Sequence, residues 1–111
     1  MEKNKMKKLL LLLLCVPLIG LGQTARDYYN QGYDYHKEGE YQLAIDNYTK
    51  AIKIDPDFTI VYCFRGNSYV ELGNYKDAID DYNKAIKIDP NDAYSYYTRG
   101  NLYLDLENYE D

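Results

Sequence analysis

Few side chains in this sequence could do chemistry, and they form neither a catalytic nor a metal-binding pattern. His36 is the only histidine, which leaves no histidine-based triad and no histidine metal cluster. The sequence contains no glycine-rich phosphate loop and no CxxC pair. We therefore expect no enzyme activity from these residues, no cofactor and no metal, although a further domain could still carry catalysis.

The acidic residues are better explained as turns and solvated surface. Two clusters, at 55–57 and 89–92, place aspartates around a proline. They lack the glycine and the late glutamate of an EF-hand loop, so we predict turns and helix caps rather than calcium sites. Asp77, Asp80 and Asp81 follow helical spacing, and we expect all three on the outward, solvated face of a helix.

Tyrosine carries most of the positional information. The chain has 15 tyrosines, and 11 of them recur with a period of 34 residues. Residues 25–58 and 59–92 are identical at 16 of 34 positions, and residues 59–77 and 93–111 at 9 of 19. An internal repeat of this kind outranks every other signal. We predict a helix-packing role for Tyr28, Tyr35, Tyr41, Tyr48, Tyr62, Tyr69, Tyr75, Tyr82, Tyr96, Tyr103 and Tyr109.

The second copy shows the pattern most completely, as YxxRGxxY from Tyr62, AxxxY from Ala78 and a proline at Pro90. This pattern resembles the tetratricopeptide repeat, with tyrosine where the family signature has tryptophan and arginine where it has leucine. The resemblance implies an all-α fold, an α-solenoid of tandem helix-turn-helix repeats wound into a right-handed superhelix. The predicted repeats are 25–58, 59–92 and a partial third at 93–111.

The spacing of small and apolar residues independently predicts two amphipathic helices in each repeat. Gly73 marks the break between them, because glycine is common just past a helix end. Gly66 lies inside the first helix, where glycine costs about 1 kcal/mol relative to alanine. Since this glycine recurs, we predict a close crossing of the two helices, with Gly32, Gly66 and Gly100 facing small residues such as Ala44 and Ala78.

A second set of residues in each first helix is left over from the packing pattern. The resemblance implies that first helices line a concave groove, and surface tyrosines with no packing duty are typical of binding sites. Incidental exposure, or contact with a further repeat, is the alternative. Arg26 is the only fixed positive charge of this set. We predict that the groove binds its partner through Tyr29, Tyr33, Ile60, Cys63, Asn67, Val70, Tyr94, Tyr97, Asn101 and Leu104.

The remaining polar residues of the first helices are assigned structural roles. We expect His36 to be solvated on the exposed side of its helix. Cys63 is the only cysteine after residue 22, so that part of the chain forms no intrachain disulfide. We interpret Cys63 as a small groove or core residue rather than a reactive thiol.

The first 22 residues differ in kind from the repeats. Four lysines precede an apolar run of 13 residues that contains Pro17 and is shorter than the roughly 20 residues needed to span a bilayer. This predicts a signal peptide at 1–22, cleaved after Gly22, and export to the periplasm, cell envelope or medium. An uncleaved anchor is the alternative. Cys15 lacks the small preceding residue of a lipoprotein site.

Residues 23–111 carry nine lysines and arginines against 17 aspartates and glutamates, a formal charge of −8. This charge disfavours nucleic acids and anionic lipids as partners.

We predict a scaffold or interaction module that binds a peptide or helical segment of another protein, with stacking on further repeats also possible. Because the third repeat is partial, we expect a fragment of a longer chain. A recognition domain of an envelope sensor or enzyme, and a structural spacer, are the alternatives.

Overall fold

The computed structural model describes residues 22–110, which form five α-helices and no β-strand. Consecutive helices pack on each other, and α3 also contacts α1 and α5. The described part of the chain is therefore the all-α solenoid that the sequence predicts. None of its helices is long and apolar enough to cross a membrane. The helices are α1 (Ala25–Lys37), α2 (Tyr41–Ile54), α3 (Thr59–Glu71), α4 (Tyr75–Ile88) and α5 (Ala93–Glu110).

The predicted signal peptide lies outside the described residues, apart from Gly22. The first repeat then begins with a capping box. The backbone N–H of Asp27 donates to Thr24 Oγ1 at 3.1 Å, and the N–H of Thr24 donates to Asp27 Oδ2 at 2.9 Å. These two bonds satisfy donors that the first turn of a helix otherwise leaves free. They fix the start of α1 at Ala25.

Glycine ends the first helix of both complete repeats, as the sequence predicts. Gly39 and Gly73 have a φ of 80°, a left-handed conformation that glycine adopts without a steric cost. The N–H of Glu40 reaches back to the carbonyl of Tyr35 at 2.9 Å, and the N–H of Gly39 reaches that of His36 at 3.0 Å. This pair of bonds is the Schellman motif.

The third repeat departs from this pattern. Glu107 occupies the position of Gly39 and Gly73, and α5 continues through it to Glu110. A residue with a Cβ pays a steric cost in the left-handed conformation, so the sequence lacks the signal that stops α1 and α3. The part of the third repeat that the structure describes is therefore one continuous helix.

The mid-helix glycines make room for tyrosine rings, not for alanines. A Cβ added to Gly66 would lie 2.7 Å from the ring of Tyr82, and one added to Gly32 would lie 2.6 Å from the ring of Tyr48. Both rings belong to the second helix of the same repeat and are almost completely buried. The predicted close crossing is confirmed at Gly32 and Gly66 but not at Gly100, where an added Cβ has no neighbour within 4 Å. The predicted partners, Ala44 and Ala78, were wrong.

The other tyrosines predicted to pack differ in how far they are buried, and the side chain of Tyr109 lies outside the described residues. Tyr62 is also buried, whereas Tyr28, Tyr35, Tyr41 and Tyr69 are half-buried. Exposure is higher, between 38% and 44%, for Tyr75, Tyr96 and Tyr103.

A buried ion pair joins the two helices of the second repeat. Arg65 donates to both carboxylate oxygens of Asp81, at 2.8 and 2.7 Å, and to Thr49 Oγ1 of α2 at 3.1 Å. Asp81 is therefore 5% exposed, which overturns the expectation of an outward position. Asp77 and Asp80 are exposed as predicted.

The proline-containing acidic clusters are turns, as predicted. Asp55 Oδ1 accepts the N–H of Asp57 at 3.1 Å, and Asp89 Oδ1 accepts the N–H of Asn91 at the same distance. Among the described residues no three His, Cys, Asp or Glu side chains group closely enough to hold a metal ion.

Alanine substitutions at the repeated glycine test this packing. We expect Gly66→Ala to lower the melting temperature, because the new methyl group meets the pinned Tyr82 ring and overpacking costs about 1–3 kcal/mol. Gly100→Ala is the matched control, since a Cβ there has no neighbour within 4 Å. It should raise stability by up to about 1 kcal/mol through helix propensity alone. Equal effects of the two substitutions on thermal unfolding would contradict the glycine–tyrosine contact.

Candidate functional site

The first helices of the three repeats share one surface, here called the groove, which is built by α1, α3 and α5. Phe64 of α3 contacts Tyr33 of α1 and Tyr94 of α5, each with its ring centre 5.8 Å away. Further along the same helices, a cavity is lined by His36, Asn67 and Asn101, again one residue from each. The groove therefore has an aromatic end and a polar end.

At the aromatic end, Phe64 is the central side chain. Its half-buried ring also packs edge-on against Tyr29 at 5.5 Å and lies 6.4 Å from Tyr48. Phe64 was not among the predicted groove residues. Its repeat equivalents are Asn30 and Thr98, so the 34-residue pattern gives it no signal. Its residue type could have identified it, because the chain has only two phenylalanines.

At the polar end lies a cavity of about 280 Å³, here called the polar cavity. Glu71 and Asp105 carry the carboxylates of its wall, and neither was predicted as a groove residue. These two residues stand at equivalent positions, 34 apart, in α3 and α5. The full lining is His36, Asn67, Val70, Glu71, Tyr82, Thr98, Asn101, Leu102 and Asp105.

His36 is held against α3 rather than solvated, so the expectation of an exposed position was wrong. Its Nδ1 lies 2.8 Å from the hydroxyl of the fully buried Ser68, and its ring packs edge-on against Tyr41 at 5.1 Å. Burial lowers the pKa of His36, an effect that the nearby carboxylate of Glu71 opposes. The imidazole is therefore neutral at pH 7.

Cys63 is the predicted groove residue that the structure contradicts. It is fully buried, with its Sγ 3.1 Å from Ser95 Oγ of α5, so it belongs to the core between the two helices. Burial raises the pKa of the Cys63 thiol, which keeps it protonated and unreactive.

The other predicted groove residues divide into packed and accessible side chains. Tyr29 is half-buried in the aromatic end, and burial raises its pKa. Val70 is half-buried at the polar cavity. Tyr97 and Leu104 are the most accessible apolar side chains, 66% and 59% exposed. The remaining accessible ones are Tyr33, Ile60, Tyr94 and Asn101.

Asn67 connects the groove to the core. Its Oδ1 accepts a hydrogen bond from the hydroxyl of Tyr82 at 2.5 Å, and its Nδ2 donates to the hydroxyl of Tyr94 at 3.2 Å. Its orientation is therefore set before any partner binds. An amide held in this way can present its remaining N–H to a peptide carbonyl.

The first repeat lacks this connection. Tyr48 is the equivalent of Tyr82, but its buried hydroxyl has no hydrogen-bond partner within the described chain. The reason is that Tyr33 occupies the position of Asn67 and offers no amide. Burial raises the pKa of both Tyr48 and Tyr82, so both hydroxyls stay protonated.

Comparisons with known proteins support the repeat assignment. The tetratricopeptide repeat family matches residues 25–58, and a second TPR repeat family matches residues 66–107. The first TPR of Spaghetti (RPAP3), solved with the HSP90 peptide SRMEEVD, is 31% identical with a TM-score of 0.74, and the match covers 79% of this chain and 72% of that one. The chain belongs to the tetratricopeptide repeat (TPR) family. No curated protein matches it.

Other TPR structures are similar over the same region. The crystal structure of MamA is 30% identical with a TM-score of 0.71, covering 76% of this TPR chain and 49% of that chain. The TPR2AB domain of yeast Sti1, solved in a complex with pHSP90, is 28% identical with a TM-score of 0.72, covering 78% and 33%.

The position of His36 generates a prediction about pH. Because burial lowers its pKa in the folded state, the unfolded chain binds the proton more readily. Stability should therefore fall as the pH decreases below the unfolded value of about 6.5. His36→Gln should flatten this decrease in melting temperature between pH 7.5 and 5.5, and His36 is the only histidine. The same decrease in both proteins would show that His36 is not buried as described.

The two equivalent tyrosines provide a matched pair of hydroxyl deletions. Tyr82→Phe should destabilise the protein by about 1 kcal/mol, because it removes the bond to Asn67. Tyr48→Phe should be neutral or stabilising, since it removes a buried hydroxyl that has no partner. Denaturant unfolding measures both changes. A larger loss for Tyr48→Phe than for Tyr82→Phe would contradict the assigned difference between the repeats.

Proposed function

We propose that this TPR protein is an exported, non-enzymatic interaction module or scaffold that holds an apolar-sided peptide or helix of another protein in its groove. The observation that carries the proposal is the exposure of Tyr97 and Leu104, 66% and 59%, which we assign to the groove. Large apolar side chains accessible on a concave surface are typical of binding sites.

The solved TPR relatives support a peptide as the class of partner. Three of them, the two Spaghetti (RPAP3) domains and yeast Sti1 TPR2AB, were solved in complexes with HSP90 or an HSP90 peptide. We transfer to this chain only the coarser property, namely that it binds a peptide of another protein.

The side chains of the groove favour an apolar segment over a lone carboxylate. Burying apolar area contributes about 25 cal/mol per Å², and the amides of Asn67 and Asn101 can fix the register of a peptide backbone. Two cations of α1 already lie over aromatic rings. The guanidinium of Arg26 lies 5.8 Å from the centre of Phe58, and Lys37 Nζ lies 5.2 Å from that of Tyr33. A buried carboxylate would find little compensation for its desolvation.

Export is the part of this proposal that rests on sequence alone. It is supported by the lysine-rich start and short apolar run at 1–22. The repeats themselves are compatible with an oxidising compartment, because their one cysteine, Cys63, is buried and unpaired.

Truncation of the two most exposed groove side chains tests the binding face. Tyr97→Ala combined with Leu104→Ala should weaken a peptide selected on the wild-type protein by about tenfold or more, since anchor residues typically cost more than about 1 kcal/mol each. Leu43→Ala combined with Ile54→Ala is the matched control, because both residues are exposed in α2, outside the groove. Fluorescence anisotropy measures the affinities, and circular dichroism verifies the fold.

If the groove pair binds the peptide as tightly as wild type, or if only the α2 pair weakens it, then the binding surface lies elsewhere.

A further inference from the structure

We propose that the polar cavity receives a lysine or arginine side chain of the bound segment. The preferred partner is then basic at one position and apolar around it. This inference rests on the proposed function, and it deepens it by assigning the sign of the charge that the groove selects.

The wall of the polar cavity is negatively charged. Glu71 and Asp105 line the cavity, and within residues 22–108 neither carboxylate takes part in a salt bridge or a side-chain hydrogen bond. The ion pair of this region, Arg65–Asp81, lies between α3 and α4 instead. The other titratable groups of the lining, His36 and Tyr82, are neutral at pH 7. A ligand in the cavity therefore meets negative charge.

The helix that carries Glu71 also favours a cation at its C-terminal end. This glutamate is the last residue of α3, at the end where the helix dipole is negative, and the last turn contains no basic residue. In α1, by contrast, the equivalent residue is Lys37, and His36 precedes it. A carboxylate at a helix C-terminus is unfavourable by itself, and both it and the dipole favour a cation nearby. Local rules are typically broken in this way at functional sites.

The lining of the polar cavity combines apolar and polar side chains. Val70 and Leu102 provide apolar surface, whereas Asn67 and Asn101 provide amide oxygens. A lysine or arginine side chain has the matching form, since its aliphatic stem packs on apolar surface while its charged head keeps polar partners.

The net charge of the repeat region as a whole agrees with this polarity. Residues 23–111 carry a formal charge of −8, which attracts basic segments over long range. The peptide in the solved Spaghetti (RPAP3) complexes, SRMEEVD, is acidic at its C-terminal end. On this proposal, the groove of the present chain selects the opposite charge.

Selection from a phage-displayed library of random dodecapeptides tests the inference without a known partner. The library is selected on the wild-type protein, on Glu71→Gln combined with Asp105→Asn, and on Asp77→Asn combined with Asp80→Asn. The last variant is the matched control, because it removes two exposed carboxylates of α4 outside the cavity. Peptides from the wild type and the control should be enriched severalfold in lysine and arginine at one position, and those from the cavity variant should not.

A single selected peptide then gives the magnitude. Replacing its basic residue by glutamine should weaken binding to wild type by about three- to tenfold, and should change binding to the cavity variant by less than twofold. Enrichment that is absent, acidic, or retained in the cavity variant would overturn the inference and leave the groove intact. If no selected peptide depends on Tyr97 and Leu104, the proposed function fails, and this inference fails with it.

Discussion

The insertion of a tyrosine ring over a glycine is the contact on which the rest of the structure depends. In the second repeat the ring of Tyr82 lies so close to Gly66 that no side chain fits between α3 and α4. The hydroxyl of the same ring donates a hydrogen bond to Asn67 Oδ1 at the groove. The packing of the hairpin and the orientation of a groove amide are thus set by one side chain. Glycine lowers the helix propensity of α3, and the close packing of Tyr82 against Gly66 offsets this loss.

The two complete repeats use this contact differently, and the difference divides the groove. In the first repeat Tyr33 replaces the asparagine, so the hydroxyl of Tyr48 stays unpaired beneath an aromatic cluster. In the second repeat Asn67 and Glu71 open towards a polar cavity. Two repeats with the same backbone fold therefore present different surfaces. One end of the groove is aromatic, and the other carries carboxylates. Such a surface suits a segment with apolar and basic residues in a fixed order.

The fold could be predicted from the sequence because its signals are local. The 34-residue period, the tyrosine spacing and the glycines at 39 and 73 each act within one repeat, and the structure confirms the helices that they predict. The contacts between repeats could not be predicted in this way. The bonds from His36 to Ser68 and from Cys63 to Ser95 join residues 32 apart, which are not repeat equivalents. Periodicity therefore assigned His36 to solvent and Cys63 to the groove, whereas both pack against a neighbouring helix. Asp81 was misplaced because its partner, Arg65, was interpreted only as a variant of a packing position.

On the function proposed here, the face formed by α1, α3 and α5 binds an extended segment of another protein. An NMR titration of the ¹⁵N-labelled protein with a library-selected peptide tests it most directly, because the side-chain amides of Asn67 and Asn101 report from the groove itself. The largest chemical-shift changes should fall on these amides and on the backbone of α5 around Tyr97 and Leu104, with small changes in α2. Largest changes on the outward residues of α2 and α4, such as Leu43 and Asp80, would contradict it.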